Sequence, residues 1–391
     1  MKSRLGLFRP NLFCVTLALC VGAAGLGLLG PGAAARGAVQ PADIPSDVPA
    51  WLTRIPELAS APAPAWLRTG ARLTYHVMST AKKEDKTSGG EALVQYDVAS
   101  SDGKTVLVIL GIHSISGGPL MPLRDGGFIV GIPGVGEVWM NPAVLPTAEK
   151  HGNRDLAIGH TSMNVGGAAR QAVRFEADEG IGRNVSVFDE QSGVLLYRIN
   201  TLDKATQNTV TSQFMSMRQM NLAWVGGSTP AWAGAGTQLR YEGTSEVGFG
   251  YGPPVATPTV MLAHITQAGP TWAMVKWQSY LNGQLNGERY SLASATIASG
   301  GVFLPQAALA TLKAGQVLDA DPTTGVTVSV AQTPLSMDGR QLLTLMYQGQ
   351  SFQRLCGYDC QSGMLVYYSS FSQEGVSQFH TELRLTGVSG K

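Results

Sequence analysis

Charge is scarce in this chain. Only 14% of its 391 residues are Asp, Glu, Lys or Arg, against about a quarter in an average globular protein. The two signs nearly cancel, at 28 Lys+Arg against 27 Asp+Glu. That balance gives no electrostatic case for nucleic acid or for an anionic membrane surface. Cysteine is scarce too. Cys14 and Cys20 fall in an N-terminal apolar stretch, which leaves Cys356 and Cys360 for the rest of the chain. Two sulfurs with no histidine beside them are too few for a zinc centre. Long apolar runs are confined to Leu12–Gly30, so nothing after it has the length of a membrane-spanning helix.

Catalytic signatures are also missing. There is no His-Glu-x-x-His and no Gly-x-Ser-x-Gly. Gly103-Lys104-Thr105 imitates the end of a P-loop, but Val98 stands where the first glycine belongs, and Gly131, Gly134 and Gly136 miss dinucleotide-binding spacing. Ser79-Thr80-Ala81-Lys82 matches Ser-x-x-Lys without its accessory motifs. The histidines at 76, 113, 151, 160, 264 and 380 are scattered, with His151, Asp155 and His160 the nearest approach to a cluster. Asp319-Ala320-Asp321 offers oxygens but lacks the third ligand of a calcium loop, and reads as a turn. Asn184-Val185-Ser186 matches a glycosylation acceptor inside an expected strand. No catalytic, cofactor-binding or metal-ligating residue is assigned, and no cofactor is expected.

The N-terminus reads as an export signal over residues 1–35. Lys2, Arg4 and Arg9 precede the apolar stretch, and Ala33-Ala34-Ala35 supplies small residues for cleavage. Leu19 before Cys20 argues against a lipid anchor. The expected location is periplasmic or extracellular, with membrane contact only through the signal if it stays uncleaved. Residues 36–63 are rich in Pro and Ala and read as a spacer. Within it, Pro49-Ala50-Trp51-Leu52 resembles the start of the repeats described next, and Trp51 either docks on the body or matches by coincidence.

What is present is a duplication. Pro64-Ala65-Trp66 to Leu73-Thr74-Tyr75 returns as Pro230-Ala231-Trp232 to Leu239-Arg240-Tyr241. Asp189-Glu190-Gln191-Ser192-Gly193 returns as Asp359-Cys360-Gln361-Ser362-Gly363, and Ser212-Gln213-Phe214 as Ser377-Gln378-Phe379. The order is kept at a separation of roughly 165–170 residues, which is the length of a whole domain. Domain A is expected over 64–222, a linker over 223–229, and domain B over 230–388.

Both repeats read as strands. Thr105–Leu110 is a continuous aliphatic run, the pattern of a strand buried on both faces, and Asp102-Gly103 before it marks a hairpin. Asp189 with Gly193, and Asp359 with Gly363, form longer hairpin turns: Asp caps the turn backbone and Gly takes the positive φ. One short helix is expected per repeat, starting at Pro142 behind Asn141 in A and running from Pro305 to Ala314 in B. The fold class is mainly β: two tandem homologous domains, each a curved antiparallel sheet with one short helix packed on it.

Two pairs stay open at this stage. Trp272 and Trp277 point to opposite faces of one strand. Either one of them lines a ligand cavity with Met274, or both serve in packing. Cys356 and Cys360 lie about 13 Å apart if extended, beyond the roughly 7 Å a disulfide allows. Cys360 falls in a turn, so both a disulfide and two free thiols are compatible with the sequence.

The stretches Phe188-Asp189-Glu190-Gln191-Ser192-Gly193-Val194-Leu195 and Tyr358-Asp359-Cys360-Gln361-Ser362-Gly363-Met364-Leu365 resemble the hairpins of bacterial envelope proteins of the outer-membrane lipoprotein-carrier type. The resemblance implies an open curved sheet around a helical lid and an apolar cavity. It transfers no binding residue, and the tandem arrangement departs from the single-domain carriers. Three functions follow in order: an exported non-catalytic protein binding an apolar small molecule, a lipid or a lipidated partner on the concave sheet; a structural or assembly component of the envelope; and an enzyme with an unrecognised site.

Overall fold

The computed structural model describes residues 48–49, 51–83, 86–115, 121–178, 182–203, 208–250 and 252–390. The expected export signal and residues 36–47 and 50 of the expected spacer lie outside them. In domain A the strands are β1 (Ala71–Lys83), β2 (Lys86–Ser101), β3 (Val106–Ser114), β4 (Met121–Gly131), β5 (Leu156–Val165), β6 (Ala168–Asp178), β7 (Arg183–Asp189), β8 (Leu195–Asp203) and β9 (Asn208–Gln219). In domain B they are β10 (Gln238–Gly248), β11 (Val255–Ala268), β12 (Trp272–Leu281), β13 (Gln284–Ser294), β14 (Val317–Ala320), β15 (Thr327–Val330), β16 (Leu335–Met337), β17 (Arg340–Gln348), β18 (Phe352–Asp359), β19 (Leu365–Glu374) and β20 (Ser377–Ser389).

Among the described residues these strands form two antiparallel sheets. The first runs β4-β3-β2-β1-β9-β8-β7-β6-β5; the second runs β13-β12-β11-β10-β20-β19-β18-β17-β15-β14, with β16 beside β17. In each, the first strand of the repeat pairs with the last. Side chains from all nine strands of the first sheet meet in one apolar core, so that sheet is curled around its own inner face. The second sheet does the same.

The duplication is written in the hydrogen bonds. Tyr75 follows a bulge in β1 and its hydroxyl donates to Leu195 O at 2.9 Å; Tyr241 follows a bulge in β10 and donates to Leu365 O at 3.1 Å. Trp66 Nε1 donates to Ser192 O at 2.8 Å, and Trp232 Nε1 to Ser362 O at 2.9 Å. One sequence anchor fails. Phe214 stands opposite Tyr75, and Leu385 stands opposite Tyr241. The counterpart of Phe214 is therefore Leu385, and the match of Ser212-Gln213-Phe214 to Ser377-Gln378-Phe379 is coincidental.

The helices differ from expectation in A. An α-helix begun at Pro142 would need the N–H of residue 146, and Pro146 has none. The chain forms instead a turn, in which Asn141 Oδ1 accepts from Ala143 N at 2.7 Å, and then a 3₁₀ helix over Leu145–His151. In B, Pro305 precedes the helix Gln306–Thr311, which is shorter than Pro305–Ala314 because Leu312 is already extended.

Residues 51–61 carry structure. A 3₁₀ turn over Leu52–Arg54 and a helical turn over Glu57–Ser60 place Trp51, Leu52, Ile55 and Leu58 inside the core of domain A. Trp51 is 2% exposed, with its ring 5.5 Å from Phe175. Pro62 O accepts from Asn141 Nδ2 at 2.6 Å, and Glu57 pairs with Lys150 and His151 at 2.5 and 2.9 Å. Apolar residues at 51, 52, 55 and 58 fall on one side of a helical turn. Domain B has no such segment, because the residues at the matching distance before it belong to β9 and the linker. From that stretch Trp224 enters the core of B, its Nε1 donating to Ala295 O at 2.8 Å, while Met220 packs in the seam between domains.

The domains meet on their outer faces. Leu107, Ile109 and Val130 of A pack with Trp272, Met274 and Leu292 of B. The His113 ring stacks on Phe352 at 6.3 Å, and Thr296 Oγ1 donates to Ala99 O at 2.6 Å. The buried Thr105–Leu110 run is explained by this arrangement: Val106 and Val108 face the core of A, while Leu107 and Ile109 face domain B.

Candidate functional site

The hairpin turns come first because one of them has been put to a second use. In Asp189–Val194 and Asp359–Met364 the Gly N donates to the Asp carbonyl at 2.8 Å, the Asp N donates to the residue five positions on at 2.9 Å, and the Gly takes φ near +70°. The Asp carboxylate accepts from Ser192 N at 3.0 Å and from Ser362 N at 3.2 Å. The segment Asp321–Val326 repeats every one of these bonds, with Gly325 at φ 68° and Thr324 N donating to the carboxylate at 3.2 Å. It is a third copy of the turn, inserted between β14 and β15.

This third carboxylate points across the domain seam. Asp321 Oδ2 accepts from Arg72 at 2.9 Å, Gln95 at 2.6 Å and Arg218 at 3.2 Å, all in domain A. Asp319 accepts from Arg218 at 2.7 and 2.8 Å and from Arg72 at 3.1 Å, and Arg72 also forks onto Asp97 with two 2.6 Å bonds. The Asp321 side chain is only 1% exposed. Burial alone raises its carboxyl, but Arg72 and the backbone donors outweigh that and hold it down at about 2. Burial by itself would lower Arg72; its aspartate partners reverse this and raise it above the ordinary arginine value. The pair Asp319 and Asp321, weighed from sequence as calcium oxygens, serves arginines.

Inside domain A, Arg198 lies among Ser186, Glu137 and Tyr96. Its Nε donates to Ser186 Oγ at 3.1 Å, its Nη1 reaches Glu137 Oε1 at 3.5 Å, and its Nη2 donates to the Glu137 carbonyl. Asn184, the glycosylation-type asparagine, is buried in this network and accepts from Ser186 Oγ at 2.7 Å. Glu137 matches the charge of Arg198, and the segment from Trp51 to Leu58 fills part of the core of the same domain.

The inner face of domain B carries different residues at the same places. Strand pairing sets Arg354 where A has Asn184, Arg289 where A has Gly127, and Tyr368 where A has Arg198. The Arg354 guanidinium lies 4.2 Å from the centre of the Tyr347 ring, and that of Arg289 lies 5.8 Å from the Trp277 ring. Both act on the Tyr368 phenol: burial pushes it up, and the two guanidiniums pull against that. Arg289 of β13, Arg354 of β18 and Tyr368 of β19 lie on this inner face. All three are half-buried.

Beyond Arg354 the inner face continues as cross-strand rows. Arg354 is opposite Ser370, Ser370 opposite Thr381, and Thr381 opposite Ser245. Ser245 and Thr381 share a 3.1 Å hydrogen bond, and Thr259 donates to Ser245 at 2.9 Å. The next row is Phe379, Val247 and Val255, with Phe379 39% and Val255 63% exposed. Phe249 beyond them is also exposed. An apolar lip thus leads inward to hydroxyls and then to arginines on aromatic faces.

The residues weighed for a ligand cavity are divided between two packed clusters, so both tryptophans serve in packing. Trp272 and Met274 are in the seam between domains, whereas Trp277 is in the core of B with its Nε1 on Ser291 Oγ at 2.8 Å. Of the three, Trp277 alone stands beside Arg289. Cys356 and Cys360 are free thiols, one buried on the inner face and the other exposed in the turn. His151 bonds Glu57 and His160 bonds Glu190, so the structure does not bring these histidines together on Asp155. Arg289, Arg354 and Tyr368 were not singled out by sequence reasoning. Their only signal was alternation: Arg354, Cys356 and Tyr358 share a face, so an arginine falls on the side that holds the core.

No protein-family model matches the chain, and no curated protein does. Among solved structures it is similar to a beta-barrel-like protein of a domain of unknown function, DUF1849, from Brucella abortus, at 7% identity and a TM-score of 0.17 over 83% of this chain and 99% of that one. No residue role carries over from it.

Proposed function

We propose that this is an exported, non-catalytic binding protein of the bacterial envelope in which domain B holds the ligand and domain A is a scaffold closed by its own chain. The observation that carries this reading is the contrast between two copies of one fold. In A, the segment from Trp51 to Leu58 occupies the inner core and Arg198 is matched by Glu137. In B, Val255 and Phe379 are exposed along one row of the inner face, and no segment like that from Trp51 to Leu58 is supplied to its core. The export half of the reading rests on the cationic and apolar N-terminus with its Ala-rich cleavage site. The likeness to lipoprotein carriers supports a ligand on the inner face of the sheet.

A fluorescence titration with the neutral apolar dye N-phenylnaphthylamine tests it. Saturable binding is expected, and Phe379→Asp and Val255→Asp should weaken it by about tenfold. Absence of binding, or binding indifferent to both substitutions, overturns the reading. The structural-component alternative draws on the seam, where an ion-paired cluster and an apolar patch fix two domains together. It gains if the dye does not bind.

A further inference from the structure

We infer that the tips of two neighbouring hairpins of domain B, β10–β11 and β19–β20, dock on a lipid bilayer of neutral headgroups and insert Phe249 and Val376 into it. The inference rests on the binding reading above and adds where an apolar ligand is taken up or released. Strand β10 pairs with both β11 and β20, so the two turns lie side by side: Val247 stands opposite Val255 on one side and Phe379 on the other. At the turns Phe249 is 56% and Val376 59% exposed. Val376 lies against Gly250, its Cβ 3.3 Å from where a Cβ would stand there. With Val255 and Phe379 these side chains make one apolar cap. The sequence carries no charged residue from Val247 to Ala263 or from Gly375 to Phe379.

The fold does not require this cap. The matching hairpins of domain A, β1–β2 and β8–β9, turn through Lys82-Lys83-Glu84-Asp85-Lys86 and Leu202-Asp203-Lys204. Turns in water are ordinarily polar, and an exposed apolar patch marks a contact. The chemistry of the tips selects a bilayer as that contact. Strands β10 and β20 are each paired on both sides, so their backbones have no pairing to offer a partner chain. The β10–β11 loop reads Phe249-Gly250-Tyr251-Gly252-Pro253-Pro254-Val255. Its two prolines have no N–H, so fewer backbone donors lose water where hydrocarbon offers no replacement. An uncharged tip matches a neutral interface and gives no attraction to anionic headgroups. The cap also runs into the inner-face row of Val255, Val247 and Phe379. An apolar ligand thus passes between bilayer and inner face without crossing water.

The test puts a fluorescent reporter at the tip. Phe249→Trp is made in the full chain, and its emission is read as the difference from the parent. Vesicles of dioleoylphosphatidylcholine, of the same lipid with brominated acyl chains, and of a mixture with anionic dioleoylphosphatidylglycerol are added in turn. The added emission should shift to the blue with all three and be quenched by the brominated chains. Anionic lipid should change the affinity by less than about twofold. A local reporter separates insertion of this tip from attachment through the N-terminal apolar stretch. Val376→Asp in the reporter chain should weaken vesicle binding by about tenfold, while its melting temperature and its binding of N-phenylnaphthylamine stay unchanged. Emission indifferent to every vesicle while the dye still binds overturns this inference and leaves the binding reading standing. Quenching without dye binding supports the lipid surface and overturns the ligand reading. Binding that needs the anionic lipid and vanishes in salt overturns the inference in favour of an electrostatic contact. A blue shift that grows with protein concentration without lipid overturns it in favour of two copies packing tip to tip.

Discussion

Asp189, Asp359 and Asp321 build the same turn and do different work. The first two turn their carboxylates on their own loops, Asp189 also meeting Arg170 of the neighbouring strand at 3.5 Å, while Asp321 keeps one oxygen for its turn and gives the other to Arg72, Gln95 and Arg218 across the seam. Its folded carboxyl sits at about 2 against an ordinary 3.8. A depressed carboxylate contributes stability that is complete above the unfolded value and lost as pH falls through the folded one, here between about pH 4 and pH 2. The contribution is about 2 kcal/mol. Melting curves across that range should show the wild type converging on Asp321→Asn as pH falls, and a constant gap between them would contradict the account. Thiols supply a second check. In the folded protein Cys360 should react with a thiol reagent, and Cys356 only after unfolding. Gly193→Val and Gly363→Val should each cost more than about 1 kcal/mol, because φ is positive and the new Cβ would land on the carbonyl oxygen of Met140 or Leu304. Equal thermal stability of variant and parent would refute the shared turn. These two glycines were legible from sequence, since positive φ is a local requirement. The third was legible as a turn but not as a copy of the other two, because Pro-Thr-Thr replaces Glu-Gln-Ser and the local letters do not reveal which side chain lies across a seam.

At the scale of elements, strands were easier to read than what covers them. Alternation and aliphatic runs report burial directly, and the hairpin at Asp102-Gly103 is where its turn chemistry puts it. The segment from Trp51 to Leu58 was harder. Its Pro and Ala content suggests a spacer, while four apolar residues on one side of two short turns suffice to bury it against Phe175. Trp51→Ala should destabilise domain A by about 3–5 kcal/mol, the usual cost of emptying a buried tryptophan site. Chemical denaturation reads this directly, and a change under 1 kcal/mol would show that the segment only rests on the surface. The helix of A was misplaced for a simple reason: Pro146 removes one N–H, and a single missing donor converts an α-helix into a turn followed by 3₁₀.

For the whole molecule, duplication was visible in sequence, but the difference between the copies was not. Strand pairing was needed to align Arg289 and Arg354 of B with Gly127 and Asn184 of A, because the offset between repeats drifts at bulges and at the inserted β14. Trp272 and Met274, left open from sequence between cavity and packing, pack in the domain seam. With that seam apolar and ion-paired, the two domains should unfold in one calorimetric transition, and Trp272→Ala should split it or lower it. The central claim is that one fold, present twice, holds ligand once. A stoichiometric fluorescence titration of the full chain with N-phenylnaphthylamine measures this most directly. The account predicts one bound molecule per chain, lost when Phe379 and Val255 are both replaced by aspartate. Two bound molecules per chain, or one that survives the double replacement, would contradict it.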